Sequence, residues 1–157
     1  MDGKDTILVT GGAGYIGSHA CVELLQEGYS VVVVDNLSNA SAKSLAAVER
    51  ITQKDLTFVE GDIRNRDVLA QIFSSHSIAS VMHFAGLKAV GESTQQPLRY
   101  YDNNINGTLS LIETMQDHNC KSIVFSSSAT VYDSGQEPPL NEGAQLGAIN
   151  PYGRTKL

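Results

Sequence analysis

A glycine-rich loop directly after an apolar strand constrains this chain more than any other feature. Residues 7–10 (I-L-V-T) read as a buried strand, and Gly11-Gly12-Ala13-Gly14-Tyr15-Ile16-Gly17 follows at once. Gly12, Gly14 and Gly17 fit G-x-G-x-x-G, and Gly11, Gly14 and Gly17 fit the related G-x-x-G-x-x-G. Glycine permits a tight turn and close approach to a pyrophosphate, and the N-terminus of the following helix attracts that anion. The context therefore predicts a dinucleotide-binding strand–turn–helix unit.

An acidic residue closes the second predicted strand. Residues 31–34 are an unbroken valine run, which suits a strand buried on both faces of a sheet. Asp35 follows this run and comes 18 residues after Gly17. A carboxylate there can accept hydrogen bonds from ribose hydroxyls and repels a 2′-phosphate, so it favours NAD over NADP. A solvated acid in a turn is the alternative interpretation.

Five apolar, β-rich runs alternate with helical stretches along the chain. This alternation predicts an α/β fold, a doubly wound Rossmann-type parallel sheet with strand order 3-2-1-4-5 and helices on both faces. At 157 residues the chain is expected to be one domain. The predicted strands are residues 7–10, 31–34, 57–60, 80–84 and 122–126.

Apolar spacing assigns a buried face to each predicted helix. We expect the first helix to end at Gly28, the second to be capped by Ser38 or Ser41, and the fourth to run from Pro97 to about Asp117. Residues 133–150 read as a long loop, which is usually functional or mobile. The expected core residues are Ile16, Ala20, Leu24 and Leu25 in the first helix, Leu45, Val48 and Ile51 in the second, Val68, Leu69, Ile72 and Phe73 in the third, and Leu98, Ile105, Leu109, Ile112 and Met115 in the fourth.

Tyr152 and Lys156 are spaced so that they share one face of a helix. A free phenol has a pKa of about 10, which is too high for a base at neutral pH. A nearby ammonium group and an oxidised nicotinamide both favour phenolate, which can then accept a proton from a sugar hydroxyl. Y-x-x-x-K alone is common by chance. Here it follows Ser126-Ser127-Ser128 at the end of the fifth strand, and ligands bind at such strand ends.

Charge and cysteine content limit the classes of partner. The net charge of −6, from 11 basic and 17 acidic residues, argues against a general nucleic-acid surface. No apolar run approaches the ~20 residues of a membrane span, and the polar start, Met1–Asp5, predicts no signal peptide. Cys21 and Cys120 lack metal-type spacing, so they are expected to be reduced structural thiols of a cytoplasmic protein, and no metal is expected. His83 is expected in the core, and His19 is expected to be structural.

The motifs together resemble the extended short-chain dehydrogenase/reductase superfamily, and within it the UDP-glucose 4-epimerase family. They occur in the expected order over nearly the whole chain, and H-F-A-G-L-K-A-V-G-E-S is the most specific of them. The other stretches are V-T-G-G-A-G-Y-I-G-S-H, D-N-L-S-N, E-G-D-I, Y-Y-D-N-N, F-S-S-S-A-T-V-Y and N-P-Y-G-R-T-K.

The resemblance implies a reaction that interconverts UDP-galactose and UDP-glucose with NAD through a 4-keto sugar. Ser128 would hydrogen-bond the sugar 4-hydroxyl and Tyr152, and Lys156 would hold the nicotinamide ribose and favour the phenolate. Lys88 would also face the substrate. The other implied contacts are Gly11, Gly12, Gly14, Tyr15, Ile16 and Gly17 at the pyrophosphate, Asp35, Asn36 and Asn39 at the adenosine ribose, Asp62 and Ile63 at the adenine, and Phe84, Ala85, Gly86, Lys88 and Asn103 near the nicotinamide.

Several alternatives and departures accompany this resemblance. Lys88 as a solvated charge and Asn103 as a helix-surface residue remain open, and Asp133-Ser134-Gly135 stands where the family usually has glycine directly after V-Y. A sugar-nucleotide 4,6-dehydratase is disfavoured, because that chemistry usually needs Asp-Glu where this chain has Ala129-Thr130. Family members are longer. Residues 1–157 are therefore expected to be the NAD-binding domain without the substrate domain. Alone, this chain is expected to be inactive or to act as a non-catalytic NAD-binding module. The resemblance further implies a parent enzyme that dimerises through helices like the third and fourth.

Overall fold

The computed structural model describes residues 4–157, which group into two compact units. Unit 1 comprises the residues up to Ala85 together with Gly107–Ser126, and unit 2 comprises Gly86–Asn106 and Ser127–Leu157. The first residues of the polar N-terminal segment, residues 1–3, lie outside the described part. Within residues 4–157, no helix is both long enough and apolar enough to cross a membrane.

Unit 1 is built on a five-stranded parallel sheet, and the predicted fold class and strand order are confirmed. The order is β3-β2-β1-β4-β5. The registers pair Leu8 with both Val32 and Val81, so the middle of the sheet is a continuous apolar layer. The strands are β1 (Thr6–Thr10), β2 (Ser30–Asp35), β3 (Thr57–Glu60), β4 (Ile78–His83) and β5 (Ile123–Phe125).

Helices cover both faces of this sheet. The helices of unit 1 are α1 (Tyr15–Gln26), α2 (Lys43–Thr52), α3 (Arg66–Ser75) and α6 (Gly107–Asp117). Because successive strand side chains point to opposite faces, the valines of β2 divide between two cores. One core joins Val31 and Val33 to Cys21, Leu25, Leu45 and Val48. The other joins Val32 and Val34 to Leu69, Ile72, Leu111, Met115 and Cys120.

The helix faces differ from the predicted ones at several positions. In α1 the buried residues are Gly17, Ser18, Cys21 and Leu25, so Ile16 is exposed. The N-cap residue of α2 is Ala42, which has no side chain that could cap the helix. The predicted cap Ser41 lies one residue earlier, and its hydroxyl accepts from the Lys43 N–H at 3.3 Å. The glycine loop determines which face of α1 is turned toward the core, and apolar spacing alone cannot determine this. Exposed residues that were predicted to be buried are Ile16, Ile51, Leu98, Leu109 and Ile112.

The predicted fourth helix is interrupted, and one short helix was missed. Unit 2 contains α4 (Val90–Gln95), α5 (Pro97–Tyr100), a π-helical segment (Tyr101–Asn106), a 3₁₀ turn (Ala129–Val131) and α7 (Pro151–Lys156). A π-helical segment has more residues per turn than an α-helix, so it rotates the buried face relative to a 3.6-residue repeat. A single 3.6-residue pattern over residues 97–117 therefore predicted the wrong side chains to be buried. Between the 3₁₀ turn and α7 the chain forms turns, with one antiparallel bridge that joins Tyr132 to Leu146.

The two cysteines and His83 lie where the sequence predicted. Cys21 and Cys120 are free and buried. Burial raises the pKa of the Cys21 thiol to about 12, so it is inert at neutral pH. His83 is buried in β4 between the hydroxyls of Thr10 and Thr108, at 2.6 and 2.8 Å. His19 is exposed, and its ring is hydrogen-bonded to the Tyr15 carbonyl at 2.7 Å.

Candidate functional site

The glycine loop of unit 1 fits closely against its surroundings. Gly11 has a φ of +70°, and a Cβ there would lie 2.6 Å from the Ala85 nitrogen. A Cβ on Gly12 would lie 2.7 Å from the Val33 side chain. Glycine is therefore required at position 11 for the turn and its close approach to the chain after β4, and at position 12 for close packing against β2.

The N-terminus of α1 offers a suitable environment for an anion. Its N-cap residue, Gly14, provides no side-chain cap, and no acidic residue lies in the first turn. The first backbone N–H groups of a helix have no intrahelical acceptor and carry partial positive charge. Tyr15 and Ile16 stand beside these groups with 77% and 56% of their surface exposed. The residues present therefore fit a pyrophosphate flanked by two exposed side chains.

Asp35 lies at the end of β2 and is tied to the glycine loop. Its carboxylate is buried and accepts from the Ala13 N–H at 3.1 Å and the Leu37 N–H at 2.9 Å. Each carboxylate oxygen has a further lone pair, so Asp35 can still accept ribose hydroxyls. Asn36 and Asn39, its predicted companions, are both exposed. Of these three residues, Asp35 is bonded to the glycine loop, whereas Asn36 donates to Asp62 at 3.0 Å.

Asp62 and Ile63 occupy different environments. Arg64 pairs with both carboxylate oxygens of Asp62, at 2.9 and 2.7 Å, and Asn36 donates to it at 3.0 Å. The Arg64 guanidinium holds the pKa of Asp62 well below its usual range. The side chain of Ile63 is buried in the core, where its Cδ1 would lie 2.7 Å from a Cβ on Gly107. The side chain of Ile63 therefore serves the core and is not available to a ligand.

A buried hydrogen-bond chain fixes the segment that follows β4. Thr10 bonds His83, and the Thr10 hydroxyl also accepts from the Ala85 N–H at 3.3 Å. The Phe84 N–H donates to the Thr10 carbonyl at 3.0 Å. This chain sets the path of Phe84 and Ala85 at the carboxyl end of the sheet, the end where ligands bind in such folds.

In unit 2, α7 presents Tyr152 and Lys156 on one side of a single turn. Asn150 caps this helix by accepting from the Gly153 N–H at 2.8 Å. Tyr152 and Lys156 are both only 9% exposed. Burial lowers the pKa of the Lys156 ammonium, because desolvation disfavours the charged form. The Lys156 amine lies 3.5 Å from the position that a Cβ on Gly86 would take.

Asn104 joins α7 to the chain around Leu87, and sequence reasoning missed it. Its buried amide accepts from the Leu87 N–H at 2.8 Å, and it donates to the Leu87 carbonyl at 2.9 Å and the Thr155 hydroxyl at 2.8 Å. Thr155 donates in turn to the Tyr152 carbonyl at 2.7 Å. Asn103, the predicted residue, is half-buried and donates to Asn104 at 2.9 Å. The N-N pair was visible in the sequence, but only the fold distinguishes the buried member.

Tyr100 is a second residue that the sequence did not identify. It is fully buried, and it forms a small apolar cluster with Leu87 and Tyr152. Its hydroxyl donates to Glu92 at 2.7 Å and accepts from the Ala89 N–H at 3.0 Å. Burial raises the pKa of Tyr100 to about 12, so it stays protonated. Tyr100 therefore packs against Tyr152 and fixes the backbone beside Lys88, whose side chain is exposed.

The structure distinguishes two serines of the triple-serine run. Ser127 donates to the Lys156 carbonyl at 3.3 Å. Ser128 precedes the 3₁₀ turn, and its hydroxyl accepts from the Thr130 N–H at 3.2 Å and the Thr130 hydroxyl at 2.9 Å. Ser127 therefore holds the end of α7, while Ser128 carries a hydroxyl whose position is fixed by Thr130.

The strand–glycine loop–helix unit, the parallel sheet and the acidic residue after β2 define a Rossmann-type dinucleotide-binding fold. Residues 8–157 match a family model described as GDP-mannose 4,6 dehydratase. The chain belongs to that family, which lies within the extended short-chain dehydrogenases/reductases.

Individual relatives are UDP-glucose 4-epimerases. The chain is 59% identical over 151 residues to the UDP-glucose 4-epimerase of Bacillus subtilis (strain 168), covering 96% of this chain and 44% of the relative. It is 56% identical over 153 residues to the enzyme of that name from Dictyostelium discoideum, covering 98% of this chain and 44% of the relative. The chain thus spans less than half the length of these curated relatives.

Solved structures agree with these relatives. The UDP-glucose 4-epimerase of Stenotrophomonas maltophila, with bound NAD and formylated UDP-arabinopyranose, has a TM-score of 0.94 and 51% identity, covering 98% of this chain and 46% of that one. The enzyme from Bifidobacterium longum, in complex with NAD+ and UDP, has a TM-score of 0.94 and 49% identity, covering 96% of this chain and 45% of that one.

Proposed function

We propose that the protein containing this chain interconverts UDP-galactose and UDP-glucose with NAD. The observation that carries the proposal is the arrangement around α7, where Tyr152 and Lys156 are buried on one side of a turn that Asn104 and Thr155 hold in place. The identity of 59% to a UDP-glucose 4-epimerase supports it.

The chemistry follows from the residues of α7 and the triple-serine run. Tyr152 accepts the proton of the sugar 4-hydroxyl and returns it after the carbon has inverted. Lys156 favours the phenolate through its positive charge. Ser128 hydrogen-bonds the same oxygen. NAD, when bound, would supply the acceptor for the C4 hydride and the source of hydride for its return to the opposite face. The reaction therefore has no net oxidation, and its intermediate is a 4-keto sugar.

The cofactor is proposed to be NAD bound through unit 1. The glycine loop and the start of α1 fit the pyrophosphate, and Asp35 fits a ribose with free 2′- and 3′-hydroxyls. Gly86, Lys88 and Asn103 remain the proposed contacts of the nicotinamide side, and Lys88 also of the substrate. NAD bound in two of the similar solved structures supports this cofactor.

We further propose that residues 1–157 are the NAD-binding domain of an enzyme whose substrate domain lies in sequence outside this chain. The coverage of 44% of the B. subtilis relative supports this division. The proposed partner is then a UDP-sugar. Binding to nucleic acid or to a membrane is not proposed, and the net charge of −6 argues against a surface that binds polyanions. The two buried free thiols favour a cytoplasmic location.

A sugar-nucleotide 4,6-dehydratase is the second candidate, because the matching family model carries a dehydratase description. That reaction needs an additional acid and base next to the serine or threonine after the fifth strand. Ala129 and Thr130 occupy those positions, and neither side chain can serve as a general acid or base at neutral pH. The epimerase is therefore favoured for the complete protein. For the 157-residue chain alone, NAD binding without turnover is the remaining candidate.

The complete protein, meaning this chain together with its proposed substrate domain, is expected to convert UDP-galactose into UDP-glucose. The 157-residue chain alone is expected to show little or no conversion, because the proposed sugar and uridine contacts lie outside it. Chromatography of the nucleotide sugars after incubation with NAD measures both. Rapid turnover by the chain alone contradicts the proposed division. A product of the complete protein that has lost one water supports the dehydratase instead.

We propose that the complete protein is a homodimer that uses the outer face of α6. Leu109 and Ile112 lie there with 51% and 45% of their surface exposed, and they are neighbours at i, i+3 spacing. Leu109→Glu is expected to shift the protein from dimer to monomer in sedimentation, whereas Ile51→Glu, at another exposed apolar position, leaves the dimer intact. A monomeric wild type, or a dimeric Leu109→Glu protein, contradicts this interface.

A further inference from the structure

We propose that Thr130 is a positioning residue that makes Ser128 a hydrogen-bond donor to the reacting sugar oxygen. Thr130 approaches the Ser128 hydroxyl with two donors, its backbone N–H at 3.2 Å and its side-chain hydroxyl at 2.9 Å. A serine hydroxyl has one proton to donate and two lone pairs to accept. Thr130 occupies both lone pairs, so donation is the bond left to Ser128. The inference rests on the proposed epimerase function.

Thr130 also contacts the helix that carries the proposed base. A Cβ on Gly153 would lie 2.7 Å from the Thr130 carbonyl oxygen and 3.3 Å from its hydroxyl oxygen. Gly153 directly follows Tyr152. One residue therefore holds the Ser128 hydroxyl through its donors and abuts the first turn of α7 through its carbonyl.

The direction of the Ser128 bond determines the path of the proton. In the oxidation step the C4–H bond breaks with its electron pair passing to NAD, the O4 proton passes to the Tyr152 phenolate, and a C4=O bond forms. A serine that relays this proton must accept it, which requires a free lone pair. With both lone pairs taken by Thr130, Ser128 instead donates to O4, and the proton moves directly to Tyr152.

A fixed donor at this oxygen lowers the barrier, because it stabilises the charge that develops on O4 without having to reorganise. The donation from the Thr130 hydroxyl polarises Ser128 and strengthens the bond that Ser128 makes. Thr130 stands at the second of the two positions where the dehydratase chemistry would need its acid–base pair. In this chain the position serves Ser128.

The test compares Thr130→Val with Thr130→Ser in the complete protein. Valine keeps the branched shape and the backbone N–H but removes the hydroxyl, whereas serine keeps the hydroxyl. We expect Thr130→Val to lower kcat about tenfold, less than the about 10²–10³-fold that loss of a direct donor costs, with the KM for UDP-galactose nearly unchanged. Thr130→Ser is expected to retain most of the wild-type kcat. Thr94→Val, at an exposed threonine of α4, is the matched control and is expected to be unaffected.

The outcomes separate this inference from the proposed function. A wild-type protein that does not convert UDP-galactose refutes the proposed function. An active wild type whose Thr130→Val variant has unchanged kcat overturns only the role of Thr130, as does a Thr130→Ser variant that loses as much as Thr130→Val. If Thr130→Val does not fold, Thr130→Ala takes its place. The rate of hydrogen exchange at the Thr130 amide is a readout independent of turnover. We expect this rate to rise in Ser128→Ala, because the amide then loses its acceptor.

Discussion

Replacing Tyr152 with Phe in the complete protein is expected to lower epimerase turnover by about 10²–10⁴-fold, the usual contribution of a positioned general base. The substitution removes only the phenol oxygen. Because Tyr152 packs against Leu87 and Tyr100, the phenylalanine ring keeps these contacts and the fold is retained. Bound NAD is expected to remain, since the glycine loop and Asp35 are unchanged. Turnover is measured with UDP-galactose, and NAD is measured after release from the denatured protein.

Tyr29→Phe is the matched control for this substitution. Tyr29 is half-buried against the core of unit 1, and its ring lies 4.8 Å from the Lys4 amine. Removing its phenol oxygen is expected to leave turnover unchanged. Near-normal turnover of the Tyr152→Phe protein would exclude Tyr152 as the base. Loss of NAD together with turnover would show instead that the phenol hydroxyl supports the cofactor site.

Unit 1 was predictable because its sequence signals are local and consistent with one another. The valine run of β2 is buried on both faces, and the glycine loop lies between β1 and α1 as the motif requires. Strand order followed from the alternation of strands and helices, since crossover handedness leaves few topologies. The errors arose where the rotation of a helix about its axis decides which side chains are buried. Ile16 is exposed because the loop, rather than the apolar repeat, fixes the rotation of α1.

In unit 2 the sequence named candidate site residues only where a motif contains them. Tyr152, Lys156 and Ser128 were predicted by spacing and resemblance. The residues that hold them were not, because each acts through a partner distant in sequence: Asn104 through Thr155, and Tyr100 through Tyr152. A buried asparagine or tyrosine has the same sequence signature as an exposed one. Their roles become visible only when the fold gives the partners.

Gly17→Ala is expected to abolish NAD binding by the complete protein and to destabilise unit 1. A Cβ on Gly17 would overlap the Gly11 carbonyl oxygen and lie 2.8 Å from the Gly12 Cα. Both are backbone atoms, so no side chain can rotate away to relieve the overlap. Inserting a methyl group into such a contact costs about 1–3 kcal/mol, and the loop must move from its position at the start of α1. Calorimetric titration with NAD and thermal unfolding measure the two effects.

Gly91→Ala provides the control for the chemical change itself. Gly91 lies in α4, and no atom comes within 4 Å of the position that a Cβ would take. Alanine there is expected to bind NAD normally and to stabilise the protein by about 0.5–1 kcal/mol, because glycine inside a helix costs more backbone entropy than alanine. Wild-type NAD affinity in Gly17→Ala would contradict this prediction. It would mean either that the loop tolerates a side chain at its tightest contact or that the pyrophosphate binds elsewhere than at the N-terminus of α1.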